Sequence, residues 1–413
     1  MKQEIITNIS NPKQLEKLYR ENRSAFKREF NQIYPTIQDS AIAQIWNTRL
    51  NFEEEKISWG TNKELFFVII SAFISALIAK LPDITGIDSE YFYSRNIGFI
   101  VFPLLSAYFA WKQKLQMKQI LAVFVVFVIS AIHINNLPNN IESDTLVLAC
   151  VHMPLFLWSV FGFTFVGNLS DKHKRLDFLR YNGDLVVMTA IILIAGGLLT
   201  GITIGLFSLI KINIEDFYFK YIVISGLAAV PIVGSYLVQT NPHLVNKVSP
   251  VIARVFSPLV LITLVVYLIA IIYSGKDPYN DRDFLLIFNV LLIGVMALIL
   301  FSIAETSKNS DSKTGLLILL GLSIVTIVIN GIALSAILFR ISEWGITPNR
   351  LAVLGGNILI LSNLLVVTFR LFRTMKDRNE ITKVEESIAF FLPFYSVWTI
   401  LVTFVFPILF NFK

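Results

Sequence analysis

Polar and apolar positions fall in long blocks along this chain. Apolar runs of near-bilayer length, the first at Leu65–Leu81 and the last at Ser387–Phe410, are separated by short polar stretches. A hydrocarbon core of about 30 Å takes roughly 20 helical residues to cross, and a helix satisfies its own backbone hydrogen bonds on the way. The pattern therefore predicts an all-α, polytopic transmembrane helical bundle. About eleven spans are read, at 64–81, 96–111, 119–134, 145–166, 184–210, 220–238, 251–273, 283–304, 315–339, 350–369 and 387–410.

Residues 1–62 read differently, as a soluble cytoplasmic helical segment, which leaves 63–413 for the membrane bundle. Asn11-Pro12 starts a helix, and Leu15, Leu18, Tyr19, Phe26, Phe30 and Ile33 give it one apolar stripe. Tyr34-Pro35 is expected to end it, because the residue before a proline avoids the α region. A second helix from Gln38 to Phe52 sets Ile42, Ile45, Trp46 and Leu50 on one face. The two are expected to pack as a hairpin, with Glu53-Glu54-Glu55-Lys56 leading on to the first span.

Composition agrees with this division. Only 15% of the 413 residues are charged and the mean hydropathy is +0.66, whereas a soluble domain carries about 25% charged residues. The formal charge of +6 points to headgroups rather than nucleic acid, because of where it sits. Lys112, Lys114 and Lys118, then Lys172, Lys174, Arg175 and Arg180, then Arg370, Arg373 and Lys376, cluster in alternate loops with the N-terminal segment. The loop 135–144 has no lysine or arginine. This positive-inside bias places the N-terminus inside and the C-terminus outside a bacterial cytoplasmic (inner) membrane. The lone Cys150 excludes an internal disulfide.

Candidate chemistry is sparse. No HExxH, GxSxG, phosphate-binding loop or dinucleotide fingerprint occurs, so neither an enzyme nor a bound cofactor or metal is expected. His133 and His152 flank a loop with Glu142 and Asp144 but lack ligand spacing. Gly197, Gly201 and Gly205 recur every fourth residue in the fifth span and are read as a helix-packing face, within the chain or in a homo-oligomer. Asn330, Asn357 and Asn363 sit within apolar runs, where an amide needs a partner, and are expected to point into the bundle and pair across the ninth and tenth spans.

The densest polar motif joins those two spans: Arg340-Ile341-Ser342-Glu343-Trp344-Gly345-Ile346-Thr347-Pro348-Asn349-Arg350. Gly345 is expected to supply a positive φ, Thr347 to cap the next helix with Pro348 at its first position, and Arg340 to pair with Glu343. Two arginines on the outer side run against the charge bias, which marks Arg340, Glu343, Asn349 and Arg350 as candidate ligand contacts, with Asn330 and Asn357 deeper. Through Arg340–Arg350 and the following Leu351-Ala352-Val353-Leu354, the chain resembles a family of uncharacterised bacterial polytopic membrane proteins, DUF4153. The stretch Asn11–Arg20 is similar to the soluble start of some members. The resemblance implies a polytopic membrane fold and brings no assigned chemistry.

Two functions fit these observations. The first is a transporter or permease for a small or lipidic anionic solute. The second is a non-transporting scaffold or sensor that binds a cytoplasmic partner through residues 1–62.

Overall fold

The computed structural model describes all residues except 1, 52–58, 141, 169–170, 210–211, 247, 275–278, 280–281, 310–312 and 377–380. The described residues are helical throughout, with no strand, and the chain forms two compact units, Met1–Ser58 and Trp59–Lys413. The Glu53–Lys56 lead-in lies outside the described residues.

The first unit contains four helices where a hairpin was expected: α1 (Lys2–Thr7), α2 (Pro12–Glu21), α3 (Arg23–Ile37) and α4 (Ala41–Asn51). Asn11 caps α2 by accepting from the Gln14 amide, with Pro12 in its first turn. The break comes at Asn22 rather than at Pro35. The Asn22 side chain accepts from the Ala25 amide in an extended backbone, ending α2 and starting α3. Pro35 lies in the last turn of α3, where it removes one amide donor without stopping the helix. Ile5, Leu15, Leu18, Phe26, Phe30, Ile33, Ala43, Trp46 and Leu50 form a closed core. Ile45, expected on the inner face of α4, is instead 66% exposed, and Ala43 takes the buried position.

The second unit begins with α5 (Asn62–Ala79), the short α6 (Leu81–Thr85), α7 (Ser89–Lys112), α8 (Met117–Asn136), α9 (Asp144–Val166) and α10 (Lys172–Leu209). Next come α11 (Glu215–Phe217), a π-helical turn at Tyr218–Val223, α12 (Ile224–Thr240), α13 (His243–Asn246), α14 (Val248–Ser274) and α15 (Arg282–Asn309). Then α16 (Lys313–Trp344), α17 (Pro348–Thr374) and α18 (Ile381–Ile400) lead into a second π turn, Leu401–Val405, and α19 (Phe406–Leu409). Among the described residues eight helices are long and apolar enough to cross a membrane, and Val255–Ile269 and Phe288–Ile303 are shorter apolar segments. Helix α7, with Glu90, Arg95 and Lys112, is not one of the eight. The chain is thus a polytopic helical bundle by length and composition.

Two interior clusters organise it. One is built from Val68, Leu105, Phe109, Phe161, Tyr181 and Ile232, on α5, α7, α9, α10 and α12. The other draws Leu264, Phe288, Ile299, Leu322, Leu364 and Ile388 from α14 to α18. Helix α10 serves both, through Leu176 in the second cluster and Phe178 and Tyr181 in the first. Many large apolar side chains, such as Phe66, Phe73, Phe124, Leu198 and Ile262, are exposed. In water that would leave apolar patches far larger than a soluble protein shows; against lipid tails it is the ordinary outer face.

Candidate functional site

The buried polar groups of the second half line up where α16 faces α17. Ser323, Thr326 and Asn330 on α16 and Asn363 on α17 have no exposed surface, and Asn357 has 3%. The serine and threonine hydroxyls donate to carbonyls of their own helix, at Leu320 and Leu322. Only the amides reach across. Asn330 Nδ2 donates to the Asn357 carbonyl at 3.2 Å, and Asn357 Nδ2 donates to Asn289 Oδ1 on α15 at 2.9 Å. Nearly two turns further along α17, Asn363 Nδ2 donates to the Tyr395 hydroxyl on α18 at 3.0 Å. The expected pairing across the two spans is therefore present, and it extends to two further helices.

The seam is incompletely satisfied. Asn330 Oδ1 and Asn363 Oδ1 are buried and have no hydrogen-bond partner among the described residues. Asn330 cannot exchange its amide ends, since its Nδ2 already faces a carbonyl that only accepts. A buried amide oxygen left unpaired costs about 1–3 kcal/mol, so its presence calls for an explanation.

Ten residues above Asn330, about 15 Å along the helix, α16 ends in the polar motif. Gly345 adopts φ +76°, a left-handed turn that a side chain resists. Thr347 Oγ1 accepts from the Arg350 amide at 3.3 Å, and Pro348 opens α17. Arg350 Nη1 donates to the carbonyls of Trp344 and Gly345 at 2.8 and 2.7 Å, closing the C-terminus of α16, where the helix dipole favours a cation. The expected Arg340–Glu343 ion pair is absent. The Arg340 guanidinium turns instead over Trp344, one turn along, at 5.2 Å from the ring centre, and Arg350 lies over the same ring at 5.7 Å. Arg340 Nη1 is buried without a partner. Asn349 is half-buried beside them and makes no side-chain hydrogen bond among the described residues.

Several charged groups occupy places that hydropathy does not reveal. Lys80, at the end of an apolar run, is 7% exposed. Its Nζ donates to Asp83 and, at 2.6 Å, to the carbonyl of Lys220 in the first π turn. Lys220 Nζ holds the other Asp83 oxygen at 3.0 Å. The hydrogen bond from Lys80, and then that from Lys220, keeps the Asp83 carboxyl below the usual carboxylate range. Arg95, 2% exposed, donates to the Ile134 and Leu137 carbonyls at the end of α8, as Arg350 does for α16. Glu64 accepts from the Tyr108 hydroxyl at 2.5 Å and pairs with Lys112 at 3.2 Å. Arg180 pairs with Glu385 at 2.5 Å, tying α10 to α18. His133 donates from Nε2 to the Thr403 carbonyl in the second π turn at 3.0 Å. A signal for some of these exists in sequence: Tyr108 and Lys112 share a helix face, as do Lys80 and Asp83.

A Cβ built on Gly197, Gly201 or Gly205 meets nothing within 4 Å among the described residues. The tight glycines are others. A Cβ on Gly183 would stand 1.9 Å from the Phe301 ring and one on Gly355 2.0 Å from the Trp398 ring. No group of three or more His, Cys, Asp or Glu arranged to hold a metal occurs among the described residues. No family model, curated protein or solved structure matches the chain, so the resemblance rests on Arg340–Leu354 and Asn11–Arg20 alone.

Proposed function

We propose that the chain is a multi-pass protein of a bacterial inner membrane, with about eleven spans, its N-terminus inside and its C-terminus outside, and that it is a transporter or permease. The solute is small or lipidic and carries both an anionic group and hydroxyl or amine donors. Its anionic group meets Arg340 and Arg350; its donors suit the amide oxygens of the α16–α17 seam. The observation that carries this reading is the unpaired, fully buried Asn330 Oδ1 on a polar line that continues to Asn363. A bundle built only for stability gains nothing from such an oxygen.

Single cysteines at Asn330 and Asn357, in a Cys150→Ser background, test it with a membrane-impermeant thiol reagent applied to intact cells and to inverted vesicles. Labelling from both sides is expected of a solute path. Protection from both sides in every condition tried would sink the transport reading.

The second reading is a scaffold or sensor, and its support is the self-contained core of Met1–Ser58. Under it the membrane bundle is an anchor, and the open glycine face of α10 gives a second copy of the chain room to pack. Deleting residues 1–62 separates the two: a transporter retains flux, while a scaffold loses its cytoplasmic partner.

A further inference from the structure

We infer that Arg340, Trp344 and Arg350 form a binding site for a phosphate-like oxyanion at the membrane edge, supplied by an anionic lipid headgroup or by free phosphate. The inference deepens the transport reading by naming the ligand class at its outer mouth.

Three observations carry it. The first is uncompensated charge. Neither guanidinium has a carboxylate within ion-pairing distance among the described residues, and Glu343, three residues from Arg340, pairs with neither. Both guanidiniums lie against the Trp344 indole, so the site gathers two like charges, which a bound anion compensates.

The second is spare, directed donor capacity. A guanidinium has five N–H groups in a planar fork that suits phosphoryl oxygens. Among the described residues Arg340 spends none and Arg350 spends only Nη1, on two carbonyls. Arg340 Nη1 is already withdrawn from solvent, so a charge-assisted bond made there is weakly screened. Stacking on Trp344 and the anchoring of Arg350 to the end of α16 hold both groups in place before a ligand arrives.

The third is the rim. Leu338, Phe339, Trp344 and Ile346 are all exposed beside the arginines. Exposed apolar side chains around a cationic site suit a ligand whose charged head sits on a hydrocarbon body.

The test uses the full chain in neutral detergent, with tryptophan emission quenched by brominated phosphatidylglycerol or brominated phosphatidylcholine. The difference between the wild type and Trp344→Phe isolates the signal of Trp344. Arg340→Gln is the informative variant, because Arg340 makes no hydrogen bond whose loss would disturb the fold. Phosphatidylglycerol is expected to quench Trp344 at about tenfold lower concentration than phosphatidylcholine, and Arg340→Gln to remove most of that preference. Arg340→Lys, which keeps the charge and loses the fork, should retain part of it.

Inorganic phosphate separates the sources. Displacement of the lipid by millimolar phosphate assigns the site to a free oxyanion; insensitivity to phosphate assigns it to the headgroup. Equal quenching by the two lipids with no effect of phosphate overturns the site, as does a preference unchanged in Arg340→Gln. These outcomes are independent of the cysteine labelling at Asn330: binding without a water path keeps the site and removes transport, and a path without binding does the reverse.

Discussion

Asn330→Ala is expected to leave the protein as stable as the wild type or to stabilise it, against the usual cost of truncating a fully buried side chain. The side chain makes one hydrogen bond, Nδ2 to the Asn357 carbonyl at 3.2 Å. Polar contacts between membrane helices average about 0.6 kcal/mol. Truncation also removes Oδ1, an acceptor buried without a partner, which relieves about 1–3 kcal/mol of desolvation cost. The void left is small, a few heavy atoms' worth, and costs on the order of 1 kcal/mol at about 24 cal/mol per Å³. The freed Asn357 carbonyl keeps its helical bond. The terms sum to between about −1.4 and about +0.6 kcal/mol. Asn357→Ala, which loses a donor satisfied by Asn289, is expected to cost about 1 kcal/mol more than Asn330→Ala. The assay is unfolding of purified protein from mild to denaturing detergent, followed by far-ultraviolet circular dichroism. A loss above about 2 kcal/mol for Asn330→Ala would mean that Oδ1 does have a partner in the folded protein. It would refute the unpaired acceptor on which the seam's function rests.

Other consequences are equally direct. Gly183→Ala and Gly355→Ala each drive a methyl into an aromatic ring, Phe301 and Trp398. Each is expected to cost about 1–3 kcal/mol, whereas Gly201→Ala, in open space, should be neutral by the same unfolding assay. Glu385→Gln removes the charge of the carboxylate paired at 2.5 Å with the Arg180 guanidinium, whose side chain is 13% exposed. About 3 kcal/mol should be lost, and a double-mutant cycle with Arg180→Gln should show coupling between the two sites. Because the Asp83 carboxyl is held below its ordinary range, its contribution to stability is present above the ordinary carboxylate pKa and disappears as pH falls through the lowered value. Asp83→Asn should therefore flatten the loss of stability below about pH 4, measured as melting temperature against pH.

The helical, membrane-type architecture was legible because a long apolar run has few alternatives in water or lipid, whereas the count was not: eight helices among the described residues, against about eleven expected, are long and apolar enough to cross. The Asn330–Asn357 contact was legible too. An amide in such a run needs a partner, and the short link Gly345–Thr347 forces α16 and α17 to lie antiparallel side by side. Arg95 was hidden because hydropathy trims polar first turns: α7 begins at Ser89, and Arg95 is buried by the end of α8 rather than by its own helix. The burial of Lys80 was hidden too, since its carbonyl partner at Lys220 lies 140 residues away and only the fold brings them together. At Asn22 two local preferences competed. The capping side chain prevailed over an apolar stripe that runs unbroken from Leu15 to Ile33. The glycine spacing of α10 suggested a packing face, but spacing alone names no neighbour, and among the described residues none stands within 4 Å of a Cβ built on Gly197, Gly201 or Gly205.

The second π turn also sets an angle. A π turn holds one residue more than the α-helix it interrupts, and each helical residue advances the face by about 100°. Leu401–Val405 therefore fixes the direction in which Phe406–Lys413 faces, and with it the delivery of the Phe412 and Lys413 carbonyls to Ser143 Oγ and the Thr145 amide at the start of α9. Removing a single residue there would restore a regular helix and swing the last turn of the chain away from α9. The C-terminal closure of the bundle thus depends on residue count as much as on residue identity.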